Sequence, residues 1–347
     1  MKGWDRLIFA QRREKEIITG LDRLAGPLRA VEELLAEAVV SPVEKVTEMA
    51  RHLLSAGGKR LRPALTLLSA LMAGSLTKKA ILYAAVAELM HTATLIHDDV
   101  IDKAMIRRGR PTVHALWGNE SAVMCGDHLY ATAFSKLAQD GDIRVIRIMA
   151  EASRRVCEGE ILELEHAYRM DVTENDCIQI ARLKTGELMG AACQVGAIAG
   201  CSDGDDPSEL ATALRQYGCS LGIAFQLIDD VLDMEGSEED LGKPVGSDLL
   251  EGKITLPVVL SFPLLEEGDR QRWRTLLEER RVTEEDARWL AQFAQATGQL
   301  ARARSYAWHY AQQAVSFLRA WDGKGEETSW SRRGLEEIAW FVVERKA

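Results

Sequence analysis

Two stretches of this chain, residues 80–96 and 186–199, carry few polar residues on any side, and both are long enough for several helical turns. A helix without a polar face lies either at the centre of a large helical bundle or in a membrane. A membrane-spanning helix needs about 20 consecutive apolar residues, and no apolar run in the sequence approaches that length. Strand-like alternation bounded by hairpin turns is absent as well. The sequence therefore predicts an all-α protein, a single large helical bundle over residues 1–347.

The composition excludes some classes of function. Apolar residues make up 47% of the 347, and 53 acidic against 43 basic residues give a net charge of −10. This charge argues against nucleic acid as a partner, because a basic surface supplies most of that affinity. The six cysteines show no paired spacing, which favours a reducing compartment, and the N-terminus does not resemble a signal peptide. We therefore expect a cytoplasmic protein without a membrane span.

The feature that indicates a chemistry is an acidic sequence, Asp-Asp-x-x-Asp, which occurs twice at positions 131 residues apart. Each copy follows a long apolar stretch, so each is expected on a helix, where positions i and i+4 share a face. Carboxylates held that close repel one another unless a cation joins them, and Mg²⁺ with phosphate oxygens is the usual solution. One copy alone would more often be a solvated helix face, but two copies favour a cage for a metal-bound diphosphate. The candidate metal ligands are Asp98, Asp99, Asp102, Asp229, Asp230 and Asp233.

Basic residues gather near these acidic sequences although the whole chain is acidic. Residues 57–63 place three positive charges beside a glycine pair, and glycines let a backbone approach an anion closely. A helix start with solvated charges explains that segment alone equally well. Arg107 and Arg108 follow the first acidic sequence, and Lys243 and Lys253 follow the second. Together these residues provide the charge that two diphosphates, one bound to metal and one not, require.

In their order along the chain, these segments resemble the motifs of the trans-isoprenyl diphosphate synthases, which form the polyprenyl synthetase family. The matching motifs are Gly-Gly-Lys-Arg-Leu-Arg-Pro, the first aspartate-rich motif, the double arginine, Lys-Thr-Gly, the second aspartate-rich motif and the closing lysines. The match is strongest over residues 56–260, with residues 1–25 as an N-terminal extension and residues 262–347 as C-terminal helices. The chain is most similar to synthases of medium- and long-chain products.

The resemblance implies the isoprenoid synthase fold with a central active-site cavity. The implied reaction condenses isopentenyl diphosphate head-to-tail onto an allylic diphosphate, which is farnesyl or geranylgeranyl diphosphate. The implied cofactor is Mg²⁺, in a trinuclear site that both aspartate motifs hold. Isopentenyl diphosphate is expected on Gly58, Lys59, Arg62, His91 and Arg108. The allylic diphosphate is expected on Arg107, Lys184, Thr185, Gln226, Lys243 and Lys253. Without the family, His91 would be interpreted as an ordinary histidine of a core helix.

The length of the product is expected to depend on the apolar helix before Asp98, along which the growing tail would lie. In the family, a bulky aromatic residue four or five positions before the first aspartate ends the tunnel and gives short products. Here those positions carry Thr94 and Ala93, which are small. The resemblance therefore implies a deeper tunnel and an all-trans polyprenyl diphosphate of medium or long chain, used for a quinone side chain. Candidates for the floor of the tunnel are Met90, Leu89 and Phe134, although core packing explains them as well.

Other interpretations stay open. The nearest is a short-chain synthase that stops at geranylgeranyl diphosphate, and one of another class is a non-catalytic or two-component partner subunit. Such subunits typically lose an acidic motif, whereas this chain keeps both. Family members are usually homodimers, so the expected partners are the two diphosphate substrates and a second copy of the chain. A small partner subunit and a transient membrane contact during product release are also left open.

Overall fold

A computed structural model describes residues 22–202, 207–235, 244–321 and 325–345 of the chain. The prediction of an all-α fold is confirmed, because helices account for almost all regular structure in these residues. A short 3-10 helix, Asp22–Leu24, comes first. The α-helices are α1 (Ala25–Ala38), α2 (Glu44–Leu54), α3 (Leu61–Ala73), α4 (Lys78–Ile101), α5 (Val113–Trp117), α6 (Asn119–Asp140), α7 (Ile143–His166), α8 (Glu174–Ala181), α9 (Glu187–Gly200), α10 (Ser208–Glu235), α11 (Ser247–Leu250), α12 (Leu256–Ser261), α13 (Glu267–Glu278), α14 (Glu284–Ala296), α15 (Gln299–Leu318) and α16 (Glu326–Glu344).

The chain divides into two compact units. The first unit contains the described residues of Met1–Ser153, Ala191–Arg215 and Leu318–Ile338. The second unit contains those of Arg154–Gly190, Gln216–Phe317 and Ala339–Ala347. The two aspartate motifs belong to different units, the first motif to the first unit and the second motif to the second.

Helix α4 forms the centre of the first unit. Thr77 caps its start by accepting a hydrogen bond from the backbone N–H of Ala80 at 3.1 Å. Residues 83–90 are all buried, and the helix packs against α3 and α6. Among the described residues, α4 is also the one helix long and apolar enough to cross a membrane by length and composition, yet 67% of that window is buried inside the protein. Core helices commonly meet the same criteria, so the burial agrees with the expected place of α4 in a bundle core.

A small β-hairpin after α4 corrects the expectation that the chain contains no sheet. Strand β1 (Ile106–Arg107) pairs antiparallel with β2 (Arg110–Pro111). The two turn residues have positive φ, 52° at Arg108 and 71° at Gly109. Positive φ at both central positions is the geometry of the tight turn that suits a hairpin, and glycine adopts it without strain. Strands of two residues are too short to show alternation in the sequence.

A π-helix interrupts the helices of the second unit between α8 and α9. It spans Arg182–Gly186 and contains the Lys184-Thr185 pair singled out in the sequence. π-Helical turns are rare and occur frequently at functional sites. Because a π-helix has more residues per turn than an α-helix, residues 182–186 shift the angular positions of their side chains relative to those of an uninterrupted α-helix.

Candidate active site

The first aspartate motif lies at the C-terminal end of α4, as predicted. Asp102 caps the helix, and its backbone N–H donates to the carbonyl oxygen of Asp98 at 2.8 Å. Asp98 and Asp102 are therefore one helical turn apart and both are partly exposed. Asp99 points the other way, with only 1% of its surface exposed. The three carboxylates thus form one accessible pair and one buried group.

Arg107 of the hairpin forms an ion pair with Asp99. The guanidinium Nε of Arg107 donates to Asp99 Oδ1 at 2.5 Å. Burial raises the pKa of the Asp99 carboxyl, although Arg107 acts in the opposite direction. The second carboxylate oxygen of Asp99, Oδ2, is buried and accepts no hydrogen bond within the described residues. Arg107, which the resemblance assigns to the allylic diphosphate, therefore also connects the hairpin to the first aspartate motif.

Several arginines lie near His91, which is two turns before Asp98 on the same face of α4. Burial lowers the pKa of His91, and the charges of Arg62, Arg108, Arg107 and Arg60 lower it further. The imidazole is therefore neutral near pH 7 and lies near several guanidinium groups. The structure thus brings together three residues that the resemblance assigns to isopentenyl diphosphate, namely Arg62, His91 and Arg108.

The glycine pair leaves room for these arginines. Arg108 donates through a guanidinium N–H to the carbonyl oxygen of Gly57. A Cβ atom on Gly58 would lie 3.0 Å from one guanidinium nitrogen of Arg108 and 3.2 Å from one of Arg60. That spacing is tighter than most real Cβ contacts, so a side chain at this position would push on both arginines. Gly58 therefore leaves room for the two guanidinium groups, which a side chain at this position would displace by a few tenths of an ångström.

Arg60 holds the basic segment in place. Its backbone is left-handed, with φ 47°, directly before α3. The guanidinium donates to Glu32 at 2.5 Å and to Glu88 at 2.8 Å, and these carboxylates come from α1 and α4. The side chains are largely buried, 15% exposed for Arg60 and 6% for Glu88. Of the three charges in residues 57–63, Arg60 is thus committed to internal ion pairs, and no pattern in the sequence indicated its two partners.

The second aspartate motif lies on α10, also as predicted, but its carboxylates differ in environment. Asp233 is buried and accepts hydrogen bonds from Ser247 Oγ at 2.7 Å and from the backbone N–H of Asp248 at 3.2 Å. Asp230 is buried too, and burial, followed by the nearby charge of Asp248, raises its pKa well above the usual value. Asp229 is the most exposed of the three and contacts Arg345 at 2.9 Å.

The Lys184 side chain lies between two carboxylates of α7. Its Nζ is 2.8 Å from Glu160 and 2.5 Å from Glu163. Burial by itself lowers the pKa of Lys184, but the attraction of Glu163 and Glu160 outweighs it and raises the pKa above the usual value. The ammonium group therefore keeps its charge. The sequence analysis did not single out Glu160 and Glu163 as site residues. Their i, i+3 spacing, which places both carboxylates on one face of α7, was the available signal.

Close glycine contacts hold the π-helix against two neighbouring helices. A Cβ atom on Gly222 of α10 would lie 2.5 Å from the Cα of Gly186, and one on Gly159 of α7 would lie 2.8 Å from the backbone nitrogen of Lys184. At this short separation, Thr185 Oγ1 donates to Gln226 Oε1 at 2.8 Å. The amide of Gln226 in turn donates to Asp230 Oδ1 at 3.0 Å. Thr185, Gln226 and Asp230 therefore form a hydrogen-bonded chain from the π-helix to the second aspartate motif.

The closing lysines are described only in part. Lys243 lies outside the described residues. Lys253 follows Gly252, which has a φ of 86° and on which a Cβ atom would overlap the Tyr168 ring, so only glycine fits there. The Tyr168 ring is itself covered by the guanidinium of Arg280 at 4.7 Å. Tyr168 thus fixes the backbone before Lys253, whose Nζ lies 2.8 Å from Glu251; the sequence did not indicate this role of Tyr168.

The residues expected to line the product tunnel lie in the first unit. Leu89, Met90 and Ala93 on α4 are completely buried. Thr94 is half-buried, and its hydroxyl donates to the carbonyl oxygen of His91 at 2.7 Å. Phe134, on the neighbouring α6, is half-buried. Their burial agrees both with a tunnel wall and with core packing, so their role stays a prediction.

The donor set fits Mg²⁺ that arrives with a diphosphate. Within the described ranges, no three His, Cys, Asp or Glu side chains lie close enough to hold a metal ion by themselves. Mg²⁺ does not need such a cage, because it usually binds through one or two carboxylates together with waters and phosphate oxygens. Asp98 and Asp102 supply an accessible carboxylate pair one turn apart, and the buried Asp99 Oδ2 has an unused acceptor position. Phosphate oxygens would complete the coordination.

Comparison with known proteins decides the family. The sequence model of the family described as polyprenyl synthetase matches residues 43–293, most of the chain. The chain belongs to the polyprenyl synthetase family. It is therefore a trans-prenyltransferase that acts on the prenyl diphosphates of this family, and the resemblance stated from the motifs is confirmed.

The relatives differ in the length of their products. A protein of Methanothermobacter thermautotrophicus named short chain isoprenyl diphosphate synthase is 37% identical over 331 residues, which cover 92% of this chain and 98% of that protein. Heptaprenyl diphosphate synthase component 2 of Geobacillus stearothermophilus is 43% identical over 240 residues, 69% of this chain and 73% of that protein. A crystal structure of a polyprenyl synthase from Caulobacter crescentus, complexed with calcium and isoprenyl diphosphate, superposes with a TM-score of 0.88 at 36% identity and covers 95% of this chain and 98% of that one.

Proposed function

We propose that this polyprenyl synthetase family member condenses isopentenyl diphosphate head-to-tail onto farnesyl or geranylgeranyl diphosphate. The observation that carries the proposal is the pairing of two kinds of site in the first unit. The accessible carboxylates of Asp98 and Asp102 suit a metal-bound diphosphate, whereas the arginines around neutral His91 suit a diphosphate without metal. A reaction that joins two diphosphate substrates needs both kinds of site.

In the proposed reaction, the protein's own side chains stabilise charge. Mg²⁺ on the aspartates would neutralise the charge that develops on the departing diphosphate. Lys184, which its carboxylate neighbours keep protonated, would bind the allylic diphosphate together with Thr185 and Gln226. Arg62, Arg108 and His91 would fix isopentenyl diphosphate so that its double bond attacks the allylic carbon. No nucleophilic side chain is needed, and loss of a proton then restores the double bond.

For the product we propose an all-trans polyprenyl diphosphate of medium or long chain, made in the cytoplasm for a quinone side chain. The small side chain of Ala93 supports this, because the resemblance places a bulky aromatic residue near this position in short-chain synthases. Relatives include both a short chain and a heptaprenyl synthase, so geranylgeranyl diphosphate is the second candidate product. A homodimer is proposed, with a small partner subunit as the alternative, since one relative is named as a component.

A product analysis tests this function. The purified chain is incubated with farnesyl diphosphate, isopentenyl diphosphate and Mg²⁺, and the dephosphorylated products are separated by reversed-phase chromatography. Products longer than geranylgeraniol are expected. A product that stops at geranylgeraniol would support the short-chain candidate, and elongation only after a partner subunit is added would support the two-component one. No elongation in either case contradicts the proposal.

A substitution at Ala93 tests the tunnel. Ala93→Phe should shorten the product, because an aromatic ring would fill the space beside α4, while Ala93→Ser should leave the length unchanged. The same chromatography reads both variants. Equal product lengths for Ala93→Phe and the wild type would show that the tail does not pass this residue.

A further inference from the structure

The C-terminal end of the described chain lies against the second aspartate motif. The guanidinium of Arg345, the residue after α16, is 2.9 Å from Asp229 Oδ1. It also lies 5.0 Å from the ring centre of Phe225, which precedes Asp229 by one turn on α10. One side chain thus makes an ion pair and a cation–π contact on the same face of α10.

Other contacts hold this end of the chain independently of the Arg345 side chain. Arg304 of α15 donates to the carbonyl oxygens of Val343 at 3.5 Å and Arg345 at 3.3 Å. Arg304 is itself paired with Glu235, the last residue of α10. The backbone can therefore stay in place when the Arg345 guanidinium moves.

Asp229 is the most exposed carboxylate of this motif. Its side chain is 38% exposed, whereas Asp230 and Asp233 are buried. Asp233 is further committed to Ser247 and the backbone of Asp248. A guanidinium keeps its positive charge at any pH at which proteins fold, so it repels a metal ion from the oxygen that it contacts.

We propose that Arg345 is a counter-ion that a divalent cation must displace from Asp229. In this role Arg345 stabilises the second motif when no metal is bound and lowers the affinity of the motif for a metal-bound diphosphate. The inference rests on the proposed function, since it assumes that Asp229 binds metal. Partly exposed ion pairs are weak, so removing the guanidinium should tighten metal binding by about two- to fivefold.

A metal titration tests the inference without turnover. Mn²⁺, which takes the same oxygen ligands as Mg²⁺, is titrated into the full chain at a fixed concentration of inorganic pyrophosphate. Free Mn²⁺ is measured by electron paramagnetic resonance, and binding to the protein is the decrease beyond that in a titration of pyrophosphate alone. The test variant is Arg345→Gln. The matched control is Arg302→Gln, which removes one positive charge from an ion pair of the same unit, with Glu174 at 2.9 Å. Arg345→Gln should bind Mn²⁺ about two- to fivefold more tightly than the wild type, and Arg302→Gln should bind it as the wild type does.

The possible results separate this inference from the proposed function. Unchanged or weaker Mn²⁺ binding by Arg345→Gln, in a wild type that binds Mn²⁺ and elongates, overturns the counter-ion role alone. Tighter binding by both variants would show a general charge effect and would overturn it as well. A wild type that binds no Mn²⁺ with pyrophosphate contradicts the proposed function and the inference together.

Discussion

The contact between Gly222 and Gly186 gives a sharp prediction about the π-helix. A Cβ atom at position 222 would lie 2.5 Å from the Gly186 Cα and 3.0 Å from the carbonyl carbon of Thr185, both of them backbone atoms. The separation must grow by about 1 Å to reach an ordinary carbon–carbon contact. Gly222→Ala therefore has to move α10 or the π-helix, because no flexible side chain can give way.

The expected cost follows from three contributions. Overpacking costs about 1–3 kcal/mol. Loss of the hydrogen bond from Thr185 to Gln226 adds about 1 kcal/mol. The higher helix propensity of alanine stabilises the folded state by about 1 kcal/mol and so offsets part of this loss. We expect Gly222→Ala to lower the free energy of unfolding by about 1–3 kcal/mol and to raise KM for the allylic diphosphate more than KM for isopentenyl diphosphate.

Urea denaturation and steady-state kinetics measure these effects. The control is Gly268→Ala on α13 of the same unit, where nothing lies within 4 Å of the new Cβ. This variant should be as stable as the wild type or more stable, by up to about 1 kcal/mol, with unchanged KM values. If Gly222→Ala behaves like Gly268→Ala in both assays, the close packing does not position Thr185 and Gln226.

Three further predictions concern charge and backbone. Arg60→Met should lower the free energy of unfolding in urea by about 3–5 kcal/mol, because it leaves the carboxylates of Glu32 and Glu88 without their partner. A loss below about 1 kcal/mol would contradict the stabilising role of these two ion pairs. Because burial raises the pKa of Asp230, the folded state holds this proton to higher pH than the unfolded chain, and stability is lost as pH rises through the raised pKa. Asp230→Asn should therefore be more stable than the wild type at pH 7 in EDTA and equal to it at about pH 4 and below, and equal stability at both pH values would refute the shift. Gly252→Ala should raise KM for the allylic diphosphate, because a Cβ would displace Tyr168 and with it the segment before Lys253; unchanged kinetics would show that Tyr168 does not position that lysine.

The sequence predicted those features that depend on neighbouring residues. The buried place of α4 followed from an apolar stretch without a polar face, and the shared face of Asp98 and Asp102 followed from their spacing. The inward direction of Asp99 was not predictable, since it depends on how α4 is rotated against its neighbours. The hairpin was missed because its strands have two residues each.

The partners of the charged residues were the main features that the sequence did not reveal. Glu88 and Arg60 are 28 positions apart, and Arg345 and Asp229 are 116 apart. Such pairs form only when the chain folds, and many carboxylates in an acidic protein offer equally plausible partners. The motifs therefore predict which residues carry the chemistry, while the structure was needed to show which side chains contact them.

The most direct test of the central claim is the metal-dependent incorporation of labelled isopentenyl diphosphate into farnesyl diphosphate. The wild type should incorporate label with Mg²⁺ and lose this activity in EDTA. Asp98→Asn should reduce the rate by about a hundredfold or more, because it removes a charge that holds the metal-bound diphosphate. Glu267→Gln, a change at an exposed carboxylate, should have no effect. Incorporation by Asp98→Asn at the rate of the wild type would contradict the claim that the first aspartate motif holds the departing diphosphate.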